Sequence, residues 1–548
     1  MKLIRINKLY LKSASSVLWV FLLIGLPSCE NRPKNDSSEK QSKDSSLGSK
    51  KEISEILADN SSDLFLLDSV QKFYSLRKNL PVWSNSKLRN NFIETLKNAE
   101  AEGLYFKDYH GIEIDTLNSG LSKLNKKEKS EFDVLLTDAF FRFSSHLLNG
   151  KTDPEKIHEI FDLPKNQANL STLLNEAISK NDLEIAFIEL RPNHPIYNQL
   201  ISGLKIYKEK KEESDEFKDI ETGEMIKPDM QDGRMPKINF RLMALGYLKN
   251  IDPFSHEHSK PVQEAIKQLQ LENGLLADGI IGNSTIKLLN IDYTDRYNQI
   301  LANLERWRWY PRDLGEHYIL INIANYHLDV FKGNDTIRSH KIMVGTDVRK
   351  TPIFSEEIKY IVFNPTWTIP PTIKSKDVIP GFRKDPEYAS RKNIDVYNAA
   401  GEILNPSKID WNSNIVKGYT YRQKPGSSNP LGRMKIIYPN KHLIYLHDTP
   451  SKSLFSRNSR AQSSGCIRVQ NVLELVGYLL NDQPMYTSEK IEEILEEGKT
   501  KEVKMKQLVN VHHFYWTAWM EKGKPRFTED VYNYNEKIIA ELNKASKP

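Results

Sequence analysis

Apolar residues recur every three or four positions through the first half of the chain, a spacing that is typical of amphipathic helices. This spacing predicts helices around Leu64–Arg77, Leu88–Ala101, Glu131–Leu148 and Ile196–Lys210. No paired carboxylates and no histidine cluster accompany these helices. We therefore interpret residues 56–230 as an α-helical scaffold domain without chemistry of its own.

A second, shorter helical pattern covers residues 236–292, after a charged connector. It predicts three helices, of which the last two are Pro261–Glu272 and Asn283–Leu289. Gly279, in the turn before the last helix, permits the backbone that a tight turn needs. We expect a compact three-helix module, followed by a linker helix within residues 293–316.

The hydrophobic period changes to two at Tyr318, which predicts β-strands. The run over residues 318–333 alternates and ends at a hairpin signal. The return strand is Ser339–Gly345, and β character continues over Phe354–Phe363. We interpret residues 317–548 as a mostly β domain, so that the chain as a whole is multidomain α+β.

Later strands are expected over Lys435–Pro439, His442–His447 and Val509–Trp516. Between the early and the late strands lies a long segment, residues 365–440, that is rich in proline, lysine and asparagine. A segment of this length inside a compact domain usually has a function, such as that of a lid. Trp367 near its start has two open interpretations, core packing or one wall of a substrate groove.

Residues 1–29 have the pattern of a secretory signal, with a positive start and a short apolar core. The core is too short to span a bilayer comfortably. Its end, Leu-Pro-Ser-Cys29, resembles a bacterial lipoprotein box, which implies cleavage before Cys29 and acylation of that cysteine. The alternative is an ordinary N-terminal anchor with an incidental cysteine. Residues 30–55 are polar and aperiodic, so we expect a disordered tether.

The formal net charge of +6 is small for 548 residues and is not concentrated in a basic block, so no nucleic-acid partner is expected. The sequence has no zinc spacing, P-loop or Rossmann glycine fingerprint, and we expect neither a metal nor a cofactor. His512 and His513 lack ligand partners at useful spacing and are expected to pack in a strand or to lie at the surface. Cys29 and Cys466 have different contexts and are interpreted as two separate chemistries rather than a disulfide.

Cys466 is the candidate nucleophile. It follows a Ser-Ser-Gly turn, and His447 stands nineteen positions upstream. A free cysteine has a pKa of about 8.5 and only its thiolate attacks, so the thiol needs a base at neutral pH. Gly465 lets backbone amides approach an acyl oxygen closely. These residues indicate acyl transfer through a thioester.

The signature around the cysteine consists of His447, Ser464, Gly465, Cys466 and Arg468. It resembles the signature of the L,D-transpeptidases, the cysteine enzymes that cross-link peptidoglycan. The resemblance implies a mostly β catalytic domain over residues 317–548, with a capping insertion at 365–440. Residues 236–292 are similar to a peptidoglycan-binding module, which either binds glycan or serves as a docking scaffold.

The resemblance also implies roles around the nucleophile. His447 takes the thiol proton and later activates the incoming amine, while the backbone carbonyl of Asp448 orients the ring. A role for the Asp448 side chain stays open. Backbone amides at Gly465 and Cys466 form the oxyanion site. The expected substrate-binding residues are Tyr445, Trp367, Ser464 and Arg468. For the arginine, holding a substrate carboxylate and bracing the loop are both open.

The implied substrate is a peptidoglycan tetrapeptide stem, attacked at the L-centre carbonyl before the terminal D-Ala, with a 3→3 cross-link as the product. Carbapenems are expected to acylate the same cysteine. The alternatives are L,D-carboxypeptidase or exchange activity on the same stem, and a non-catalytic wall-binding lipoprotein. The expected partners are peptidoglycan stem peptides, glycan and the membrane. We expect a lipid-anchored monomer on the periplasmic face of the envelope, with the outer membrane favoured.

Overall fold

The computed structural model describes residues 47–59, 63–212, 219–333, 335–385 and 387–544. The predicted secretory signal, Cys29 and most of the tether lie outside the described residues. None of the helices in those ranges combines the length and the apolar character that crossing a bilayer requires.

The N-terminal region is helical, as the apolar spacing predicts, with helix ends shifted by a few residues. Its long central helix starts at a capping box, in which Asn125 and Glu128 bond to each other's backbone amides, and its apolar side chains form the middle of the core. The helices are α1 (Lys50–Ala58), α2 (Leu67–Leu76), α3 (Ser86–Lys97), α4 (Gly111–Ser119), α5 (Lys126–Asn149), α6 (Pro154–Ile157), α7 (Leu170–Lys180), α8 (Glu184–Leu190) and α9 (Pro195–Glu212).

The scaffold begins earlier than the sequence indicates. Helix α1 occupies residues that we expected to be a disordered tether, and that prediction is wrong for residues 50–55. Ile53 and Leu57 are buried in the scaffold core. Two apolar residues one helical turn apart are enough to dock this segment, although its polar composition hides them in the sequence.

The three-helix module is present, with a core of its own. Gly279 adopts a left-handed φ of 74° in the turn before its last helix, as the turn requires. The linker helix that follows is buried along nearly its whole length. These helices are α10 (Met235–Ala244), α11 (Lys260–Glu272), α12 (Asn283–Asn290) and the linker α13 (Tyr293–Trp309).

The remaining residues form a sheet-rich domain with short helices. Its helices are α14 (Pro371–Ile373), α15 (Ile379–Lys384), α16 (Tyr388–Lys392), α17 (Val472–Leu479), α18 (Ser488–Glu496) and α19 (Asn535–Asn543). The strands, of which the first belongs to the scaffold segment, are β1 (Phe161–Asp162), β2 (His317–Asn322), β3 (His327–Lys332), β4 (Asp335–Gly345), β5 (Ile353–Glu357), β6 (Tyr360–Phe363), β7 (Trp367–Thr368), β8 (Ile394–Tyr397), β9 (Ile403–Leu404), β10 (Thr420–Gln423), β11 (Met434–Ile437), β12 (Leu446–His447), β13 (Ala461–Ser463), β14 (Ile467–Val469), β15 (Lys501–Lys504), β16 (Asn510–Phe514), β17 (Ala518–Glu521) and β18 (Lys524–Phe527).

The main sheet is mixed and has the strand order β1-β5-β16-β2-β3-β4-β14-β12-β11-β6-β15, with β13 paired to β4 beside this path. We interpreted the alternating run over residues 318–333 as one stretch of β period before a hairpin. The structure shows that this run is itself a hairpin of β2 and β3. A turn that contains Tyr326 at a φ of 58° separates the two strands. Burial of the residues on both sides of this turn conceals it in the hydrophobic pattern.

The strand predicted over His442–His447 is much shorter than expected. Only Leu446 and His447 pair as a strand, and the prediction is wrong for residues 442–445. The side chain of Asn440 holds the preceding loop, since it donates to the Ile444 carbonyl at 2.8 Å and accepts from the Ile444 amide at 3.1 Å. Leu443 at the tip of this loop is 79% exposed and has a φ of 58°.

The long insertion is a small folded unit rather than an open loop. Its sheet has the order β7-β10-β8-β9. It has its own hydrophobic core, in which the rings of Phe382 and Trp411 stack at 3.9 Å between centroids. The strand that follows, β11, pairs with β6 and β12 in the main sheet, so the folded part of the insertion ends before Met434.

Glu305 on α13 links the scaffold to the linker helix. Its carboxylate accepts from the amide of Thr152 at 2.6 Å and from its hydroxyl at 2.9 Å. It also pairs with Arg308 at 3.0 Å, and both side chains are almost completely buried.

We expect Glu305→Ala to lower the free energy of unfolding by about 3–5 kcal/mol, because the substitution leaves Arg308 buried without its carboxylate. Chemical denaturation measures this loss. The matched control is Glu55→Ala, which removes an exposed ion pair with Lys51 and is expected to cost less than about 1 kcal/mol. Equal losses in the two variants would contradict the buried link.

Candidate active site

The candidate site lies where β12 and β14 run side by side. The two strands are parallel, with Leu446 opposite Ile467 and His447 opposite Arg468. One step earlier, the Ile467 amide donates to the Tyr445 carbonyl at 3.2 Å, which continues the ladder. Leu446 and Ile467 are fully buried in the core of the domain.

Side chains alternate between the two faces of a strand, so the residues on either side of Leu446 and Ile467 share the opposite face. The tyrosine lies opposite the cysteine, and the histidine lies diagonal to the cysteine on the same face. The residues that meet on this face are Tyr445, His447, Cys466 and Arg468.

The imidazole of His447 is held from one side. Its Nδ1 lies 2.5 Å from the backbone carbonyl oxygen of Asp448. A carbonyl can only accept, so Nδ1 carries the proton and Nε2 is left as an acceptor. The Asp448 carboxylate has another role, because it accepts from the Arg433 amide at 2.9 Å and pairs with Lys452.

Burial keeps the histidine neutral. Desolvation lowers the pKa of His447 to about 3, with a further lowering by the charge of Arg468. The hydrogen bond to the Asp448 carbonyl acts in the opposite direction. At neutral pH the ring is therefore an uncharged base.

Burial also raises the pKa of the Cys466 thiol. Four contributions oppose this rise, namely the backbone and the side chain of Tyr445 and the charges of Lys435 and Arg468. Cys466 Sγ lies 3.7 Å from the Leu443 carbonyl oxygen. The resting site thus contains a neutral thiol and a neutral imidazole.

The turn before the cysteine is internally bonded. Ser463 Oγ donates to the Cys466 carbonyl at 2.6 Å and accepts from the Gly465 amide at 3.1 Å. The oxyanion role predicted for the Gly465 amide conflicts with this bond. The Cys466 amide has no hydrogen-bond partner among the described residues and is the amide that remains for an acyl oxygen.

The backbone conformation at position 465 explains why this residue is a glycine. Its φ of 114° lies in the region that side chains disfavour, and a Cβ would stand 3.3 Å from Ile444 Cδ1. Its carbonyl accepts from Thr351 Oγ1 at 2.8 Å. Ser464, which we predicted to bind substrate, accepts from Arg349 Nη1 at 2.9 Å in this structure.

Trp367 packs in the insertion, which agrees with the first of the two interpretations that the sequence left open, while a place in a substrate groove stays a prediction. It pairs in the insertion sheet opposite Gln423 and packs against the core of the insertion. Its side chain also reaches Tyr445. Burial raises the pKa of Tyr445, and the hydrogen bond with Trp367 lowers it. The insertion thus touches the site through this residue.

Lys435 is a site residue that sequence reasoning missed. It lies on β11 directly opposite His447, and its Nζ stands 5.0 Å from the ring centroid of Tyr445. Alternation along β11 places it on a face of the sheet, but only the strand order shows that its neighbour is β12. No sequence signal identifies that pairing.

The scaffold segment around β1 contacts both loops beside the cysteine. Asp162 bonds to Nε2 of His442 and to Nζ of Lys441, each at 2.9 Å. Glu159 pairs with Lys350 at 2.5 Å, in the loop whose carbonyls line Gly465. The scaffold therefore braces the cysteine turn and the loop that precedes β12.

His512 and His513 pack within β16, as predicted. His512 bonds to Ser355 Oγ at 2.8 Å and to the Leu314 carbonyl at 2.9 Å. His513 bonds to the Tyr438 hydroxyl at 3.0 Å. The ranges that the structure describes contain no group of three histidine, cysteine or acidic side chains arranged to hold a metal ion.

Three segments of the chain match known families. Residues 316–495 match the "L,D-transpeptidase catalytic domain", residues 236–289 the "Putative peptidoglycan binding domain" and residues 68–204 the "Scaffold domain". These matches confirm the resemblance that the signature around Cys466 indicates and the three kinds of domain that it implies.

A curated relative, "Putative L,D-transpeptidase" of Haemophilus influenzae, is 35% identical over an aligned segment that is 41% of this chain and 46% of the relative. The alignment spans about half the length of that protein. Crystal structures of L,D-transpeptidases from Xylanimonas cellulosilytica and Stackebrandtia nassauensis are 14% and 13% identical. They cover 54% and 55% of this chain and 99% and 98% of their own, with TM-scores of 0.18 and 0.22.

We expect Asp162→Asn to loosen the loop before β12, because it removes the charge that holds Lys441 and His442. Hydrogen–deuterium exchange should become faster in residues 440–446, while the free energy of unfolding changes by less than about 1 kcal/mol. Glu176→Gln, which removes the exposed ion pair with Lys180 in the same domain, is the control. Unchanged exchange in the loop would refute the brace.

Proposed function

We propose that the protein, whose residues 316–495 match the L,D-transpeptidase catalytic domain, cross-links peptidoglycan by cysteine acyl transfer. One observation carries the proposal. Cys466 stands on one face of a parallel strand pair together with His447, whose ring is oriented by the Asp448 carbonyl. A nucleophile, a base and an orienting acceptor are the three parts that such a reaction needs.

In the first half-reaction Cys466 Sγ attacks the acyl carbonyl of a tetrapeptide stem, at the L-centre before its terminal D-Ala. The thiol proton passes to Nε2 of His447. Since burial disfavours both the thiolate and the imidazolium, the proton transfer accompanies the attack rather than preceding it. Collapse of the tetrahedral adduct breaks the amide bond, and the imidazolium returns the proton to the leaving D-Ala amine.

In the second half-reaction the side-chain amine of a neighbouring diamino acid attacks the thioester. His447 takes a proton from this amine and gives it to the departing Cys466 sulfur, which restores the resting site. The product is a 3→3 cross-link. The Cys466 amide stabilises the acyl oxygen in both steps, a contribution of about 3–4 kcal/mol for one donor in a preorganised site.

Arg468 binds the carboxylate of the donor stem. Its buried Nε has no hydrogen-bond partner among the described residues, and Nη1 lies 4.0 Å from Met343 Sδ. A guanidinium that is half-buried without a carboxylate partner suits an anionic ligand better than a structural brace. Tyr445 and Trp367 form the adjoining wall of the donor groove.

The partners of the proposed enzyme are peptidoglycan stem peptides and glycan, the latter held by the module of residues 236–289. Peptidoglycan lies in the cell envelope, so this is where the enzyme acts. Acylated Cys29 anchors the chain to the membrane, and residues 30–49 provide reach. No cofactor enters the reaction.

We expect wild-type protein that starts at Leu47 to form a covalent adduct with a carbapenem and to convert a disaccharide-tetrapeptide into cross-linked dimers. Cys466→Ala should give neither product, since it removes the nucleophile. Intact-protein mass spectrometry detects the adduct, and chromatography of the muropeptides detects the dimers. His447→Gln keeps a side chain of similar polarity and should lower the acylation rate by 10²-fold or more, on the order of the loss of a general base.

The products separate the alternatives. An adduct followed only by free tripeptide would replace transpeptidation by L,D-carboxypeptidase activity. Folded wild-type protein that forms no adduct with either reagent would overturn the enzymatic proposal in favour of wall binding without catalysis. The control is Glu176→Gln, which removes an exposed ion pair with Lys180 in the scaffold and should leave both products unchanged.

A further inference from the structure

A row of side chains crosses the sheet at the level of His447. The register aligns Lys435 on β11 with His447 on β12, and His447 with Arg468 on β14. Residues that are directly paired project on the same face. The base is therefore flanked by two cations, one on each neighbouring strand, and the nucleophile stands next to this row.

Lys435 forms no salt bridge with a carboxylate in the described part of the chain. Its side chain is half-buried and extends over the ring of Tyr445, with Nζ 5.0 Å from the centroid. Tyr445 is the residue opposite Cys466, so the ammonium group lies over the ring of the side chain that neighbours the sulfur.

Lys435 and Cys466 shift each other's pKa. Burial lowers the pKa of Lys435, and the charge of Cys466 raises it. In return, Lys435 lowers the pKa of Cys466 and precedes Arg468 among the charges that do so. Both effects are expected when opposite charges meet in a site of reduced dielectric constant.

We propose that Lys435 is an electrostatic positioning residue that stabilises negative charge on the Cys466 sulfur. The inference rests on the proposed function only in that Cys466 is the reactive nucleophile. In the reaction, the charge forms on sulfur as its proton moves to Nε2 of His447, and again when the thioester breaks. Lys435 neither gives nor receives a proton.

The position of Lys435 also explains how the site tolerates a partly buried nucleophile. Desolvation alone would leave the thiol almost unreactive at neutral pH, because the thiolate is the attacking form. The positive charges of Lys435 and Arg468, on the two strands that flank β12, offset part of the free-energy cost of forming the thiolate. Lys435 and Arg468 also lower the pKa of His447, so its imidazole stays neutral at rest. The two cations therefore favour negative charge on sulfur without a permanent thiolate–imidazolium ion pair.

The charged and titratable groups that face Lys435 come from β12, from β14, from the residue that precedes each of them, and from β15. They are His447 on β12 with Tyr445 before it, and Arg468 on β14 with Cys466 before it. On β15, Glu502 raises the pKa of Lys435 but lies beyond salt-bridge distance. Strand β6, between β11 and β15, contributes Val362, which has no charge.

The test is the pH dependence of Cys466 alkylation by iodoacetamide in the absence of substrate, followed by intact-protein mass spectrometry. Cys466 is the one cysteine in protein that starts at Leu47. We expect Lys435→Met to move the midpoint of the alkylation profile to higher pH and to slow alkylation at pH 7 about tenfold, since a shift of one pH unit changes the thiolate fraction tenfold. Lys435→Arg keeps the charge and should restore most of the rate.

Lys504→Met is the matched control, since it removes one exposed lysine from β15 of the same sheet. It should leave the profile unchanged. A wild-type midpoint in Lys435→Met, with the fold verified by circular dichroism, would overturn the proposal. So would an equal shift in Lys435→Met and Lys435→Arg, because that result would indicate packing rather than charge. Normal alkylation without cross-linking would count against the proposed function alone.

Discussion

Parallel pairing of β12 with β14 brings together residues that stand nineteen positions apart in the chain. Leu446 and Ile467 are driven into the core, and the alternation of a strand then forces His447 and Cys466 to the opposite face. The chemistry of the site thus depends on the burial of two aliphatic side chains. A slip of one residue in this pairing would turn Cys466 or His447 into the core.

The rest of the molecule holds this short pair in place. Strand β12 has two residues and cannot fix its own position. The loop before it is held by Asn440 from within and by Asp162 from the scaffold. The turn before β14 is held by Ser463, and the insertion reaches the same face through Trp367. The scaffold is therefore part of the architecture of the site rather than a spacer.

Electrostatics at the site reflects a balance between burial and charge. Burial raises the pKa of Cys466 and lowers that of His447, which makes both groups neutral at rest. Lys435 and Arg468, on the strands that flank β12, lower the pKa of Cys466 and so favour negative charge on its sulfur.

Local periodicity and residue type were enough to predict the helices of the scaffold, the three-helix module and the linker helix, and to single out Cys466 and His447 as candidate site residues. Sequence reasoning failed in two ways. The helix at residues 50–58 docks on a core whose other members are distant in the chain. The turn between β2 and β3 and the bond from the Gly465 amide to Ser463 are local, but the pattern of residue types does not reveal them. The place of Lys435 beside the base depends on strand order, which no local pattern contains.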